Sequence, residues 1–124
     1  VLFRSLYLEP HGFPSADLPA RELTAVITPV IDVGLPLAGA FVRGRTALPD
    51  LLERFQPAYV LASTTGGDVR FSGLMASALQ VRGTPEEAAA LVAARGKGCR
   101  FIDPVPGEPY ALSGSTTAQS GSSR

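Results

Sequence analysis

The chain has 124 residues, eleven basic and eleven acidic side chains, and a formal net charge of zero. This length suits one ordinary domain, and the charge balance argues against duplex nucleic acid, whose phosphates call for an excess of Lys and Arg. The single cysteine, Cys99, excludes an intrachain disulfide framework.

The hydrophobic fraction of 45% is ordinary for a globular chain, whereas the charged fraction of 18% is low for a monomer's surface. Thirteen glycines and eleven prolines predict many short turns. No apolar run approaches the roughly 18 residues of a membrane span. The opening VLFRSLYLEPHG lacks the small-residue cleavage pattern of a signal peptide. The expected setting is therefore cytoplasmic.

Val1 to Leu8 reads as a strand, apolar on parts of both faces and so expected inside a sheet. Pro10 and Pro14 stiffen the turn that follows. A helix from Ser15 or Asp17 to about Thr28 is favoured because Leu23, Val26, Ile27 and Val30 keep the spacing of a buried helical stripe. The competing reading is a strand over Leu23 to Ile27, since Thr24, Val26 and Ile27 are β-branched. Short strands are expected at 30–33 and 40–42, with Asp32 at a solvent edge.

Thr46 to Phe55 predicts a helix with Leu48, Leu51, Leu52 and Phe55 on one face, Thr46 as its N-cap and Pro49 in its first turn. Pro57 ends it. Tyr59 to Ser63 reads as a strand. The glycine-bearing link Thr64 to Asp68 predicts a hairpin turn into a strand over Val69 to Ser72. Leu74 to Arg82 reads either as a two-turn helix or as a strand near its end.

The strongest local signature is Thr84-Pro85-Glu86-Glu87. Thr84 caps, Pro85 takes the first helical position, and Glu87 stands three residues on to close a capping box. The helix runs to Arg95 and stops at Gly96, and a strand resumes over Cys99 to Ile102. The fold class expected is α+β: a small two-layer domain with a short-stranded, mainly antiparallel or mixed sheet and two or three helices. Residues 1–112 form the compact domain. Residues 113–124, rich in Ser, Thr and Gly, read as a flexible tail without the apolar surface to repay ordering.

Chemistry-bearing residues are sparse. The single His11 sits beside Glu9 in the proline-bounded turn and reads as a surface histidine. Cys99 reads as a small core residue. One histidine and one cysteine make no zinc site, and Asp32, Asp50, Asp68 and Asp103 lack a metal-loop spacing. No cofactor motif appears: the loop Ser63, Thr64, Thr65, Gly66, Gly67 and Asp68 is neither a phosphate loop nor a dinucleotide fingerprint. That loop is nonetheless the candidate ligand site, with exposed N–H groups suited to a small anionic ligand.

The leading functional expectation is a noncatalytic protein-interaction or regulatory domain, self-associating or bound to a partner protein. Tyr7, Phe13, Arg45 and Tyr110 are the candidate interface residues. The alternative is a small-ligand-binding domain or enzyme with its site near Ser63 to Asp68.

Overall fold

The computed structural model describes residues 4–63, 73 and 77–113. Nine elements follow in order: β1 (Leu6–Leu8), β2 (Ala25–Thr28), β3 (Asp32–Leu35), β4 (Gly39–Arg43), α1 (Gly44–Phe55), β5 (Tyr59–Ala62), β6 (Gln80–Arg82), α2 (Pro85–Arg95) and β7 (Arg100–Ile102). The fold is α+β, with two helices and two sheets among the described residues. One sheet has four parallel strands in the order β1-β2-β5-β7; the other has three antiparallel strands in the order β4-β3-β6. The expected mixture of strand directions is thus present, divided between two sheets.

The register defines two faces of the parallel sheet. Tyr7, Val26, Val60 and Phe101 lie in one row across the four strands. This row faces the helices: Val60 packs with Leu48 and Leu52 of α1 and Ala88 and Val92 of α2, while Val26 packs with Leu51 and Phe55. The opposite face carries Leu6 and Leu8 of β1, Ala25 and Ile27 of β2, Tyr59 and Leu61 of β5, and Ile102 of β7. β5 is buried along its whole length, as expected of a central parallel strand written as an unbroken apolar run.

Topology explains why both helices share one face. The parallel strands lie side by side in the order in which they occur along the chain. When crossovers are all right-handed and strand order never reverses, every crossover helix falls on the same side. The other side is crossed by an irregular segment. Pro104 and Pro106 border a cleft with Ile27 and Leu61, and Leu112 packs with Ala25 and Tyr59. The Tyr59 hydroxyl and Ser113 Oγ lie 2.9 Å apart in a hydrogen bond.

Several expectations change. The favoured helix from Ser15 or Asp17 to about Thr28 is absent: residues 25–28 form β2, and residues 16–17 only turn. Both faces of β2 are covered, so apolar residues occur at nearly every position and imitate a helical stripe. The β-branched side chains decide in favour of the strand. β1 is an edge strand, not an interior one, because it pairs only with β2 among the described strands. β5 has β2 on one side and β7 on the other, which leaves Tyr59–Ala62 no free edge for a hairpin partner. The expected turn at 64–68, the strand at 69–72 and the tail from 114 onward lie outside the described residues.

α1 starts two residues earlier than predicted, at Gly44, and Arg43 stands at its N-cap without a side-chain cap bond. Pro49 therefore falls in the second turn rather than the first. Gly44 is required by close packing: a Cβ there would overlap the Pro29 carbonyl at the end of β2. α2 follows the sequence closely. Its capping Thr84 accepts a 3.1 Å hydrogen bond from the Glu87 N–H.

Candidate functional site

Three places in the fold are candidates for a functional site. The first is the loop after β1. Glu9 is buried, and its Oε1 accepts hydrogen bonds from the backbone N–H groups of His11, Gly12 and Phe13 at 3.1, 3.1 and 3.2 Å. Its Oε2 accepts from the Tyr7 hydroxyl at 3.0 Å. Burial alone acts to raise the Glu9 pKa, but these donated bonds outweigh it and hold the carboxyl below its ordinary value. The Tyr7 hydroxyl is shifted upward, by burial first and then by its bond to Glu9 and that residue's charge. Every oxygen of this carboxylate is engaged in holding the loop, which assigns it a structural role.

The second place is the outward face of the three-stranded sheet. In register, Asp32 of central β3 stands opposite Arg43 on β4 and Arg82 on β6. Asp32 was expected at a solvent edge; instead it is half-buried at the centre of the row and joined to α1. Its Oδ1 accepts from the Thr46 N–H at 3.0 Å and its Oδ2 from the Thr46 hydroxyl at 2.6 Å. Asp32 thereby supplies, from another element, the helix cap that Thr46 was predicted to provide. A cavity of about 270 Å³ lies over this face, bordered by Asp32, Arg43, Thr46, Gln80 and Arg82 and floored by Gly34, Gly39 and Ala40.

The third is the uncovered part of the parallel sheet. Leu6 and Leu8 are 59% and 58% exposed on the edge strand. A cleft of about 270 Å³ is lined by Leu6 and Ala25 of the sheet and by Tyr110 and Leu112 of the crossing segment. The backbone of β1 alternates in direction. The Ser5 carbonyl accepts from the Ala25 N–H, and the Glu9 N–H donates to the Ile27 carbonyl. Residues 5 and 9 therefore turn toward β2, and the backbone groups of Leu6 and Leu8 turn to the open edge.

The predicted site residues are dispersed. Ser63 is exposed at the end of β5, its N–H bonded to the Thr28 carbonyl, and it borders a cleft with Asp103 and Pro104. Thr64, Thr65, Gly66, Gly67 and Asp68 lie outside the described residues. Tyr7 is half-buried with its ring 5.1 Å from that of Phe55. Phe13 is exposed, its ring centre 5.8 Å from the Arg43 guanidinium carbon. Arg45 pairs with Glu87 at 3.2 Å, and the Tyr110 hydroxyl accepts the Val105 N–H at 2.8 Å.

His11 and Cys99 do not meet. His11 follows the C-terminal end of β1, whereas Cys99 precedes the N-terminal end of β7, the opposite end of a parallel sheet. Burial pushes the Cys99 thiol up to about 11, which opposes thiolate chemistry. Among the described residues no group of three metal-ligating side chains assembles, and no helix is long and apolar enough to cross a membrane. The described strand order also never reverses, so it contains no switch-point crevice of the kind that receives nucleotides in open α/β sheets.

Sequence reasoning missed Glu9 and the Arg43–Asp32–Arg82 row. The capping of a loop by Glu9 leaves no motif, and the row exists only once β3, β4 and β6 pair. No family model, curated protein or solved structure matches the chain.

Proposed function

We propose that this chain is a noncatalytic interaction domain that self-associates by pairing β1 with β1 of a second copy. The observation that carries this reading is the exposure of Leu6 and Leu8 on an edge strand whose outward backbone groups have no partner strand among the described residues. Parallel sheets are ordinarily covered on both faces, and an open apolar edge is a template for another strand.

Two-fold symmetry makes the pairing antiparallel. With the axis at Tyr7, Leu6 of each copy faces Leu8 of the other, and both residues present outward backbone groups. Arg4, the charged residue nearest the N-terminal end of β1, then lies far from its symmetry mate, so no like charges meet. Zero net charge removes long-range repulsion between copies. Tyr110 borders the same cleft as Leu6 and would extend the contact. The lone Cys99 suits a reducing setting such as the cytoplasm.

Sedimentation velocity across micromolar concentrations tests the reading. The expected result is a dimer that Leu8→Lys converts to a monomer with unchanged circular dichroism. A concentration-independent monomer for the unmodified chain would sink it. A second reading, a small-ligand or enzyme site near Ser63 to Asp68, is favoured by the cleft of about 350 Å³ that Ser63 shares with Ile27, Leu61 and Asp103.

A further inference from the structure

We infer that the outward face of the β4-β3-β6 sheet binds the phosphate group of a small molecule between Arg43 and Arg82. This inference rests on different residues from the β1 contact and stands without it. Residues directly opposite in an antiparallel sheet project from the same face. Arg43, Asp32 and Arg82 form one such row, and Ala40, Gly34 and Gln80 form the next row on that face. The cavity of about 270 Å³ lies over both rows.

Two features mark the row as more than a solvated surface. Among the described residues, the ion pairs are Arg45–Glu87 and Arg54–Asp50, so neither Arg43 nor Arg82 has an acidic partner. Asp32, the carboxylate between them, is turned to the start of α1 by both of its bonds to Thr46. Its two oxygens are engaged with Thr46, and among the described residues it forms no ion pair with either arginine. The Phe13 ring flanks the Arg43 guanidinium and narrows its freedom.

The floor gives the site its shape. At Gly34 an added Cβ would press on the Gly39 carbonyl at 2.7 Å, so the centre of this face stays low. A tetrahedral oxyanion bridging two arginines gains charge-assisted bonds from both forks. The rest of the ligand would lie over Gly34 and Ala40, within reach of the Gln80 amide. The room and the polar rim fit a small hydroxylated phosphate monoester better than a bulky apolar acid.

The test is a titration of ¹⁵N-labelled protein with inorganic phosphate and with glycerol 3-phosphate, at constant ionic strength with chloride as control. Saturable shifts are expected at the Gly34, Ala40 and Gln80 amides. Arg43→Ala and Arg82→Ala should each weaken binding about tenfold or more, and Arg45→Ala, whose partner is Glu87, should not. Tighter binding of glycerol 3-phosphate would assign the site to an organic phosphate; equal binding would assign it to the free ion. Absence of saturation for both probes, or shifts that survive loss of both arginines in a folded double variant, would overturn the proposal.

Discussion

Asp32 and Thr46, fourteen residues apart in sequence, are joined by two hydrogen bonds that tie the central strand of the antiparallel sheet to the first turn of α1. The first turn of α1 contains no acidic residue of its own. The carboxylate from β3 supplies one, satisfying the Thr46 N–H and opposing the positive end of the helix dipole. Both bonds are solvent-exposed, so the gain is modest. Asp32→Ala is expected to lower unfolding free energy in urea by about 1 kcal/mol. Thr46→Val should cost less, because the backbone bond survives. A double-mutant cycle should show positive coupling; additive losses would mean that the two residues act separately.

Legibility in the sequence followed how local each cause is. The start of α2 was readable because Thr84, Pro85 and Glu87 act within four residues. The α1 stripe of Leu48, Leu51, Leu52 and Phe55 was readable because all four side chains are buried on one side. β2 was misread because its two faces are buried for unrelated reasons, one under α1 and the other under the segment carrying Leu112. The Arg43–Asp32–Arg82 row depends on pairings that no local pattern encodes. Leu6 and Leu8 looked like interior residues, and only strand order placed them at an edge.

Glu9 gives the fold an acid limb. Its carboxyl is held below its ordinary value, so the unfolded chain takes up a proton more readily than the native one. The resulting stability is complete above the ordinary Glu range and is lost as pH falls through the lower native value. Urea midpoints measured from neutral pH downward should decline in that window, and Glu9→Gln should reduce the decline. Glu9→Ala should be worse at neutral pH, by about 2–3 kcal/mol, because it strands donors from His11, Gly12 and Phe13 around a buried site. An unchanged acid limb in Glu9→Gln would assign the pH dependence to other carboxylates.

Cys99 should be a slow thiol. Raising its pKa from 9.0 to about 11 leaves roughly a hundredfold less thiolate at neutral pH. Iodoacetamide labelling of the folded chain at neutral pH should lag that of the urea-unfolded chain by about tenfold or more, since the higher nucleophilicity of a high-pKa thiolate offsets part of the loss while the side chain is also half-buried. The rate should keep climbing with pH beyond the range in which a free thiol levels off. Equal rates in folded and unfolded chain would show that the β7 start opens readily.

Leu37 is the clearest place to gain stability. It sits at the β3–β4 turn with a φ of 68 and is fully exposed, so its side chain gains nothing from burial in the chain itself. A left-handed backbone at a residue with a Cβ costs about 1 kcal/mol. Asn tolerates that region and adds less unfolded-state freedom than Gly. Leu37→Asn is therefore expected to raise unfolding free energy by about 0.5–1 kcal/mol, Leu37→Gly by somewhat less, and Leu37→Val, branched at Cβ, to lower it. Thermal melts of the three variants give the order directly. If Leu37→Asn melts no higher than the parent, the turn relaxes out of the left-handed conformation in solution. Because Leu37 lies in the β3–β4 turn, on the other sheet from β1, the same variants should leave the monomer–dimer balance unchanged.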